Sequence, residues 1–95
     1  MLEVTQNSIF VGDESAAIRE RVVVSPCAGR FSPLPDDIFV AEGEWVEPGQ
    51  TIAEIKTGSS RVQVRSPFKG WVMGMLAMAD QPVHSGEALF WIWSS

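Results

Sequence analysis

The feature that most constrains the fold is an internal repeat, because two copies of one short unit must then build the domain between them. Residues 25–29 (SPCAG) answer to residues 66–70 (SPFKG) at a spacing of 41, and residues 46–55 (VEPGQTIAEI) answer to residues 83–92 (VHSGEALFWI) at a spacing of 37. Each copy spans about 35 residues and is too small to be stable alone. The repeat therefore predicts two four-stranded halves, related by a pseudo-twofold axis, that share one core in a sandwich of short strands.

The two spacings differ by four residues, so the first copy carries four extra residues between Gly29 and Val46. The obvious place for them is residues 32–35 (SPLP). Because residues 30–37 contain two prolines, we predict a loop or an irregular excursion there rather than a paired strand.

The central stretch, residues 50–70, is predicted to be a β-hairpin. Residues 52–55 form a short apolar strand, and residues 61–65 (RVQVR) alternate polar with β-branched side chains, which is typical of a strand with one buried face. Residues 57–60 (TGSS) lie at the tip, where Gly58 supplies the backbone freedom that a tight reversal needs.

The other elements are shorter. Further strands are predicted at residues 22–25, 38–40 and 88–93, and a short strand at 8–12 with a helical turn at 16–18 capped by Asp13 or Ser15. The run 70–78 fits a strand or a short helix, and its turn-dense neighbours favour a strand. Residues 1–20 are expected to form an N-terminal segment that packs on the remaining domain or extends it.

Composition excludes several classes of protein. Of the residues, 45% are apolar, but no apolar run approaches the roughly 20 residues of a membrane span. The single Cys27 cannot form an internal disulfide, and the first ten residues lack the pattern of a secretory signal, so we expect a soluble cytoplasmic domain. The net charge of −5 argues against a nucleic-acid partner.

The charges are unevenly distributed. Residues 31–54 hold six acidic residues and no base, whereas residues 55–70 hold four bases and no acid. The four bases of the hairpin are Lys56, Arg61, Arg65 and Lys69. They form either an ordinary solvated surface or a basic face that steers an acidic partner or ligand to the tip.

The repeat also reveals a difference in polarity between its copies. Glu54 and Lys56 of the first copy correspond to Trp91 and Trp93 of the second. Something is expected to cover these two tryptophans. Either residues 1–20 fold back over them, or they belong to a surface that binds a partner.

One cysteine and one histidine, Cys27 and His84, cannot make a zinc site. The acidic pairs Asp36–Asp37 and Glu42/Glu44 lack EF-hand spacing, and no glycine-rich phosphate loop precedes a helix. We expect no metal site and no catalytic residue.

Over residues 21–93 the chain resembles the biotinyl/lipoyl attachment domain, particularly the biotin carboxyl carrier domain of acyl-CoA carboxylases. The resemblance is carried by Ser25, Pro26, Gly29, Glu42, Gly43, Val46, Gly49, Gln50, Val64, Arg65, Ser66, Pro67, Gly70, Gln81, Pro82 and Val83. It implies an all-β fold, a flattened barrel-sandwich hybrid of two four-stranded sheets, for residues 21–95. The extra residues after Gly29 are similar in position to the "thumb" of some carboxylase carriers, though shorter.

The chain departs from that family at the hairpin tip. Carriers present Glu-Ala-Met-Lys-Met there, and without gaps this becomes residues 56–60 (KTGSS), with Ser59 in place of the modified lysine. A hydroxyl has neither the nucleophilic amine nor the reach of lysine, so a biotin or lipoyl amide cannot form at Ser59. The expected cofactor is therefore none, unless the neighbouring Lys56 is used.

The sequence thus favours a non-catalytic module for protein interaction or assembly, linked to a carboxylase-like multienzyme system, and not an enzyme. Its tip consists of Lys56, Thr57, Gly58, Ser59 and Ser60, and its possible partner contacts are Arg61, Arg65, Trp91 and Trp93. Two alternatives stay open: a genuine biotin or lipoyl carrier modified at Lys56, and a module that binds a small anionic ligand through the basic hairpin.

Overall fold

The structure, a computed structural model, describes residues 19–36 and 40–94. These ranges contain eight β-strands and no helix, so no described helix is long and apolar enough to cross a membrane. In chain order the strands are β1 (Glu20–Val24), β2 (Gly29–Pro33), β3 (Trp45–Val46), β4 (Thr51–Thr57), β5 (Ser60–Arg65), β6 (Gly70–Met75), β7 (Pro82–Val83) and β8 (Ala88–Ser94).

The strands form two four-stranded antiparallel sheets. Sheet 1 has the order β1-β8-β6-β3 and sheet 2 the order β5-β4-β2-β7. Exchanging β1 with β5, β2 with β6, β3 with β7 and β4 with β8 converts one sheet into the other, as a twofold repeat requires. The predicted all-β sandwich with a pseudo-twofold repeat is confirmed.

Equivalent backbone hydrogen bonds join the two halves. The Gly49 N–H donates to the Ser66 carbonyl at 2.7 Å, and the Gly86 N–H donates to the Ser25 carbonyl at 2.8 Å. Each bond runs from one half of the chain to the other, so neither half completes its own turns. This arrangement agrees with the expectation that one copy alone is unstable.

The core lies between the sheets and takes side chains from both halves. Phe31 of sheet 2 and Phe90 of sheet 1 meet there with ring centroids 5.9 Å apart. The buried apolar residues are Val23, Phe31, Val40, Val46, Ile52, Ala53, Ile55, Val64, Val72, Ala77, Val83, Leu89, Phe90 and Ile92. Burying each large apolar side chain stabilises the fold by roughly 1.5–3 kcal/mol, so the shared core makes folding of the two copies interdependent.

The prediction of a loop over residues 30–37 is wrong for its first part, because β2 runs through Pro33. The N–H of Phe31 points toward β7 and donates to the carbonyl of Gln81. The nitrogen of Pro33 has the same direction two residues later, but β7 pairs with β2 only at Gly29 and Arg30. The missing N–H of Pro33 therefore leaves no ladder bond unmade.

This strand also moves the expected site of the four extra residues. The backbone N–H of Ala41 donates to the side chain of Glu44, and the backbone N–H of Met78 donates to the side chain of Gln81. These two equivalent bonds are 37 residues apart, so the spacing of 37 between the copies applies from Ala41 onward. Since Ser32 and Pro33 belong to β2, the extra residues lie between Pro33 and Ala41, which keeps Leu34 and Pro35 of the expected segment and excludes its first two residues.

Other boundaries differ by small amounts or escape comparison. The strand predicted at 22–25 is β1, Glu20–Val24, and the run 70–78 is a strand only to Met75. Of the predicted strand 38–40, Val40 is buried outside any strand, and Ile38 and Phe39 lie outside the described residues. The predictions for residues 8–18 also lie outside them.

Candidate functional site

The hairpin tip is a two-residue turn. Strands β4 and β5 pair as far as Thr57 and Ser60, so Gly58 and Ser59 alone make the reversal. Gly58 has φ +62°, a left-handed conformation that glycine adopts without strain. The predicted hairpin and its tip at residues 57–60 are confirmed. The second half has no such tip, because the pairing equivalent to β4–β5 is that of β8 with β1.

Lys56 lies before the turn, inside the sheet. Its backbone is opposite Arg30 of β2 on one side and Arg61 of β5 on the other. Its Nζ lies 4.0 Å from Oδ1 of Asp80, and the side chain is 41% exposed. Ser59 is exposed at the turn itself. The structure therefore places a hydroxyl at the tip and an amine on the outer face of sheet 2.

A shallow cleft of about 590 Å³ opens beside the tip. Its lining comprises Ala28, Gly29, Arg30, Lys56, Thr57 and Gly58. The cleft thus contains two cations, Arg30 and Lys56. Asp80, which is not part of the lining, contacts both: its carbonyl accepts from Arg30 Nη1 at 2.9 Å, and its carboxylate faces Lys56. The wall of the cleft is tightly packed, because a Cβ added to Gly29 would lie 2.6 Å from Cγ2 of Ile55.

The two predicted basic contact residues lie on β5, an edge strand of sheet 2. Arg61 Nη1 donates to Glu54 Oε1 at 3.0 Å, and Arg65 donates to the carbonyl of Gly49 at 3.2 Å and to Oε1 of Gln63. Both arginines are exposed. The outer face of sheet 2 is thus a polar surface on which Glu54 partly balances the positive charge.

The outer face of sheet 1 is mainly apolar, with the exposed Glu20 of β1 opposite Trp93 at its edge. Trp93, Trp71 and Trp45 stand in register on β8, β6 and β3 and form a row across the sheet. The rings of Trp45 and Trp71 meet edge to face, with centroids 5.0 Å apart and an interplanar angle of 76°. We call this surface the aromatic face; it comprises Val22, Val24, Trp45, Trp71, Met73, Met75, Trp91 and Trp93.

Sequence reasoning found only part of the aromatic face. It identified Trp91 and Trp93, and the structure places both on this surface. Trp45 and Trp71 each follow a turn at the start of a strand, a position that predicts an aromatic side chain in the core or at its rim, yet Trp71 is 47% exposed. The missed signal is the alternation on β6, where Trp71, Met73 and Met75 are exposed between buried or half-buried residues. An apolar side chain at every second position indicates that these residues share one face of the strand, whichever face meets the core.

The described residues offer little other chemistry. Within residues 19–36 and 40–94, no three His, Cys, Asp or Glu side chains lie close enough to hold a metal ion. Cys27 is half-buried and packs against the core, and His84 is exposed in a turn. The candidate functional features of the described residues are therefore the hairpin tip, the cleft beside it and the outer faces of the two sheets.

Two interlocked four-stranded sheets that carry a single two-residue hairpin tip define a carrier-type domain of the biotinyl/lipoyl class. The sequence profile of the family described as biotin-requiring enzymes matches residues 21–92. The chain belongs to the biotin/lipoyl attachment domain family, whose members are carrier modules and not catalysts themselves.

Solved structures share the fold. A single-chain, multi-domain long-chain acyl-CoA carboxylase superposes on 85% of this chain with a TM-score of 0.68 and 17% identity. The urea carboxylase of Kluyveromyces lactis covers 90%, with a TM-score of 0.66 and 23% identity. A putative succinylglutamate desuccinylase/aspartoacylase family protein from Shewanella amazonensis SB2B covers 79%, with a TM-score of 0.62 and 21% identity.

The region matched is only a small part of each of these proteins, being 8% of the acyl-CoA carboxylase, 7% of the urea carboxylase and 20% of the Shewanella protein. At these identities the likeness shows the fold alone. No curated protein sequence matches this chain.

Proposed function

We propose that this domain carries no prosthetic group and serves as a non-catalytic interaction or assembly component of a carboxylase-like multienzyme system in the cytoplasm. Membership of the carrier family supports the association with such a system. The observation that carries the proposal is the composition of the tip, where the turn holds Gly58 and Ser59 and no amine. Amide attachment of biotin or lipoate needs a lysine that projects from this turn.

Lys56 is a poor substitute for that lysine. It precedes the turn by two positions, and its strand is paired on both sides. Its Nζ is directed toward Asp80 rather than beyond the tip. An attachment enzyme that reads the tip would have to accept an amine presented from the flat outer face of sheet 2.

Intact mass after co-expression tests the proposal. The chain is produced with a biotin ligase or a lipoate ligase, each with excess cofactor, beside a known acceptor domain as positive control. We expect the unmodified mass for the wild type and for Lys56→Arg while the control domain is fully modified. An adduct on the wild type that Lys56→Arg abolishes would overturn the proposal and establish the carrier function at Lys56.

The assembly role is tested with purified carboxylase subunits. Binding is measured for the wild type, for Trp91→Ala, and for the double variant Arg61→Ala/Arg65→Ala. A loss confined to the first variant assigns recognition to the aromatic face, and a loss confined to the double variant assigns it to β5. Equal binding by all three chains, or none by the wild type, contradicts an interaction through these residues.

A second candidate function, binding of a small anion, is favoured by the cleft beside the tip. Arg30 and Lys56 supply two positive charges against the single carboxylate of Asp80. Titration with inorganic phosphate and with citrate, followed by amide chemical shifts, would then perturb residues 28–30 and 56–58, and Arg30→Ala would abolish the change. No perturbation at millimolar ligand rejects this function.

A further inference from the structure

The two outer faces of the sandwich differ in a way that the shared repeat does not require. Sheet 2 exposes Glu54, Lys56, Arg61 and Arg65, whereas every strongly exposed large apolar residue of the described chain lies on sheet 1 or just after β6. These residues are Val22, Val24, Trp71, Met73, Met75, Leu76, Met78 and Trp93. A contiguous apolar patch of this kind on a small domain normally has an occupant.

The chain itself leads to the edge of this patch. Arg19 precedes β1, and its carbonyl accepts a hydrogen bond of 2.7 Å from the N–H of Ser94. The next residue, Glu20, is opposite Trp93, which begins the row Trp93, Trp71, Trp45. Residues 1–18 are therefore attached at the side of sheet 1 on which the tryptophan row starts.

Those residues have a suitable composition and sufficient length. Half of them are apolar, namely Met1, Leu2, Val4, Ile9, Phe10, Val11, Ala16, Ala17 and Ile18. A segment of this length reaches at most about 60 Å when extended, while four strands span only about 15 Å. The run 9–11 (IFV) is separated from Arg19 by seven residues, roughly 25 Å of extended chain, which is enough to reach any of the three tryptophans.

We propose that residues 1–18 pack on the aromatic face, with residues 9–11 lying on the row of Trp93, Trp71 and Trp45. Covalent attachment favours residues 1–18 over a second copy or a separate partner as the occupant of the aromatic face. A tethered segment acts at an effective concentration on the order of millimolar, well above that of a second copy or a partner at micromolar concentration. The segment is thus the first occupant of the face, and a partner that binds there must displace it. This inference does not rest on the proposed assembly function.

Tryptophan fluorescence tests whether residues 1–18 cover the aromatic face, because all four tryptophans of the chain lie on it: Trp45, Trp71, Trp91 and Trp93. Acrylamide quenching is measured on the full-length wild type, on Phe10→Asp and on Asn7→Asp, which adds the same charge at a polar position. Loss of the Phe10 contact should lower the ratio of molecules with a covered aromatic face to molecules with an open one by on the order of tenfold. Quenching should therefore rise in Phe10→Asp alone, with far-UV circular dichroism unchanged in both variants.

Three results would overturn the inference. Equal quenching of the three proteins means that residues 9–11 do not touch the tryptophans. Quenching that falls as protein concentration rises, together with a dimer mass by light scattering, assigns the face to a second copy. An equal rise in Asn7→Asp shows an effect of charge and not of apolar contact. Modification at Lys56 or failure to bind a carboxylase subunit would leave the inference intact, so the two proposals fail separately.

Discussion

Ser25 and Ser66 are equivalent residues of the two halves, and each closes the turn that follows it. Both are buried, and each donates its hydroxyl hydrogen to the carbonyl two residues later, that of Cys27 at 2.7 Å and that of Phe68 at 2.6 Å. The Ser-Pro motif that makes the repeat visible in the sequence is thus a turn held by a side chain. It ends β1 in one half and β5 in the other.

The two serines should differ in their effect on stability. The hydroxyl oxygen of Ser66 also accepts the N–H of Phe68 at 3.2 Å, so Ser66→Ala leaves both a donor and an acceptor without a partner. We expect Ser66→Ala to lower the free energy of unfolding by about 2–3 kcal/mol, and Ser25→Ala by less. Urea denaturation measures both, with the exposed Ser85→Ala as control. A loss for Ser85→Ala as large as that for Ser66→Ala would contradict this interpretation.

Gly70 should be the least replaceable glycine of the second half. A Cβ at this position would lie 2.8 Å from the carbonyl carbon of Trp93 and 2.9 Å from Cα of Ser94, and these backbone atoms belong to β8. Because a backbone in a central strand cannot give way, Gly70→Ala should lower the free energy of unfolding by about 3 kcal/mol or more.

Gly86→Ala is the matched control, because its added Cβ meets nothing within 4 Å and only its φ of +87° opposes the substitution. That change should cost about 1 kcal/mol. Thermal unfolding compares the two variants, and a melting temperature of Gly70→Ala equal to that of Gly86→Ala would show that β6 can move away from β8.

The repeat made much of this fold predictable, because it depends on local turn chemistry that a sequence displays directly. Gly58 indicates the tight reversal at the hairpin tip. Ser25 and Ser66, each followed by a proline, indicate the turns that end β1 and β5. Pro33 does not indicate its own structure, since its place in β2 depends on where the partner strand β7 ends. The exposure of Trp71 was also beyond reach, because sequence periodicity shows which side chains share a face but not which face of the sandwich meets the core.

Charge removal on β5 should leave the fold intact. The ion pair between Arg61 and Glu54 lies at the surface, with side-chain exposures of 54% and 27%, and such pairs contribute about 1 kcal/mol or less. The double variant Arg61→Ala/Arg65→Ala is expected to lose no more than roughly 1–2 kcal/mol of the free energy of unfolding. Denaturation in 0.05 M and 0.5 M salt checks this, and a loss above that range would mean that these arginines cannot serve as simple probes of binding.

If the lack of an amine in the turn keeps this domain unmodified, as proposed above, placing a lysine there should confer acceptance of a prosthetic group. Ser59 is exposed in a two-residue turn between two paired strands. The resemblance to carrier domains aligns this residue with their modified lysine. We expect Ser59→Lys, co-expressed with a biotin ligase, to gain the mass of one biotin in part of the molecules, because the strands that present the turn are intact.

Ser60→Lys is the matched control: its backbone pairs with Thr57, so the same amine starts one residue later from within β5. Labelling of Ser59→Lys alone would show that the ligase reads the turn, whereas equal labelling of both variants would contradict the importance of that single position. An unmodified Ser59→Lys would contradict the prediction that the residue in the turn alone decides acceptance.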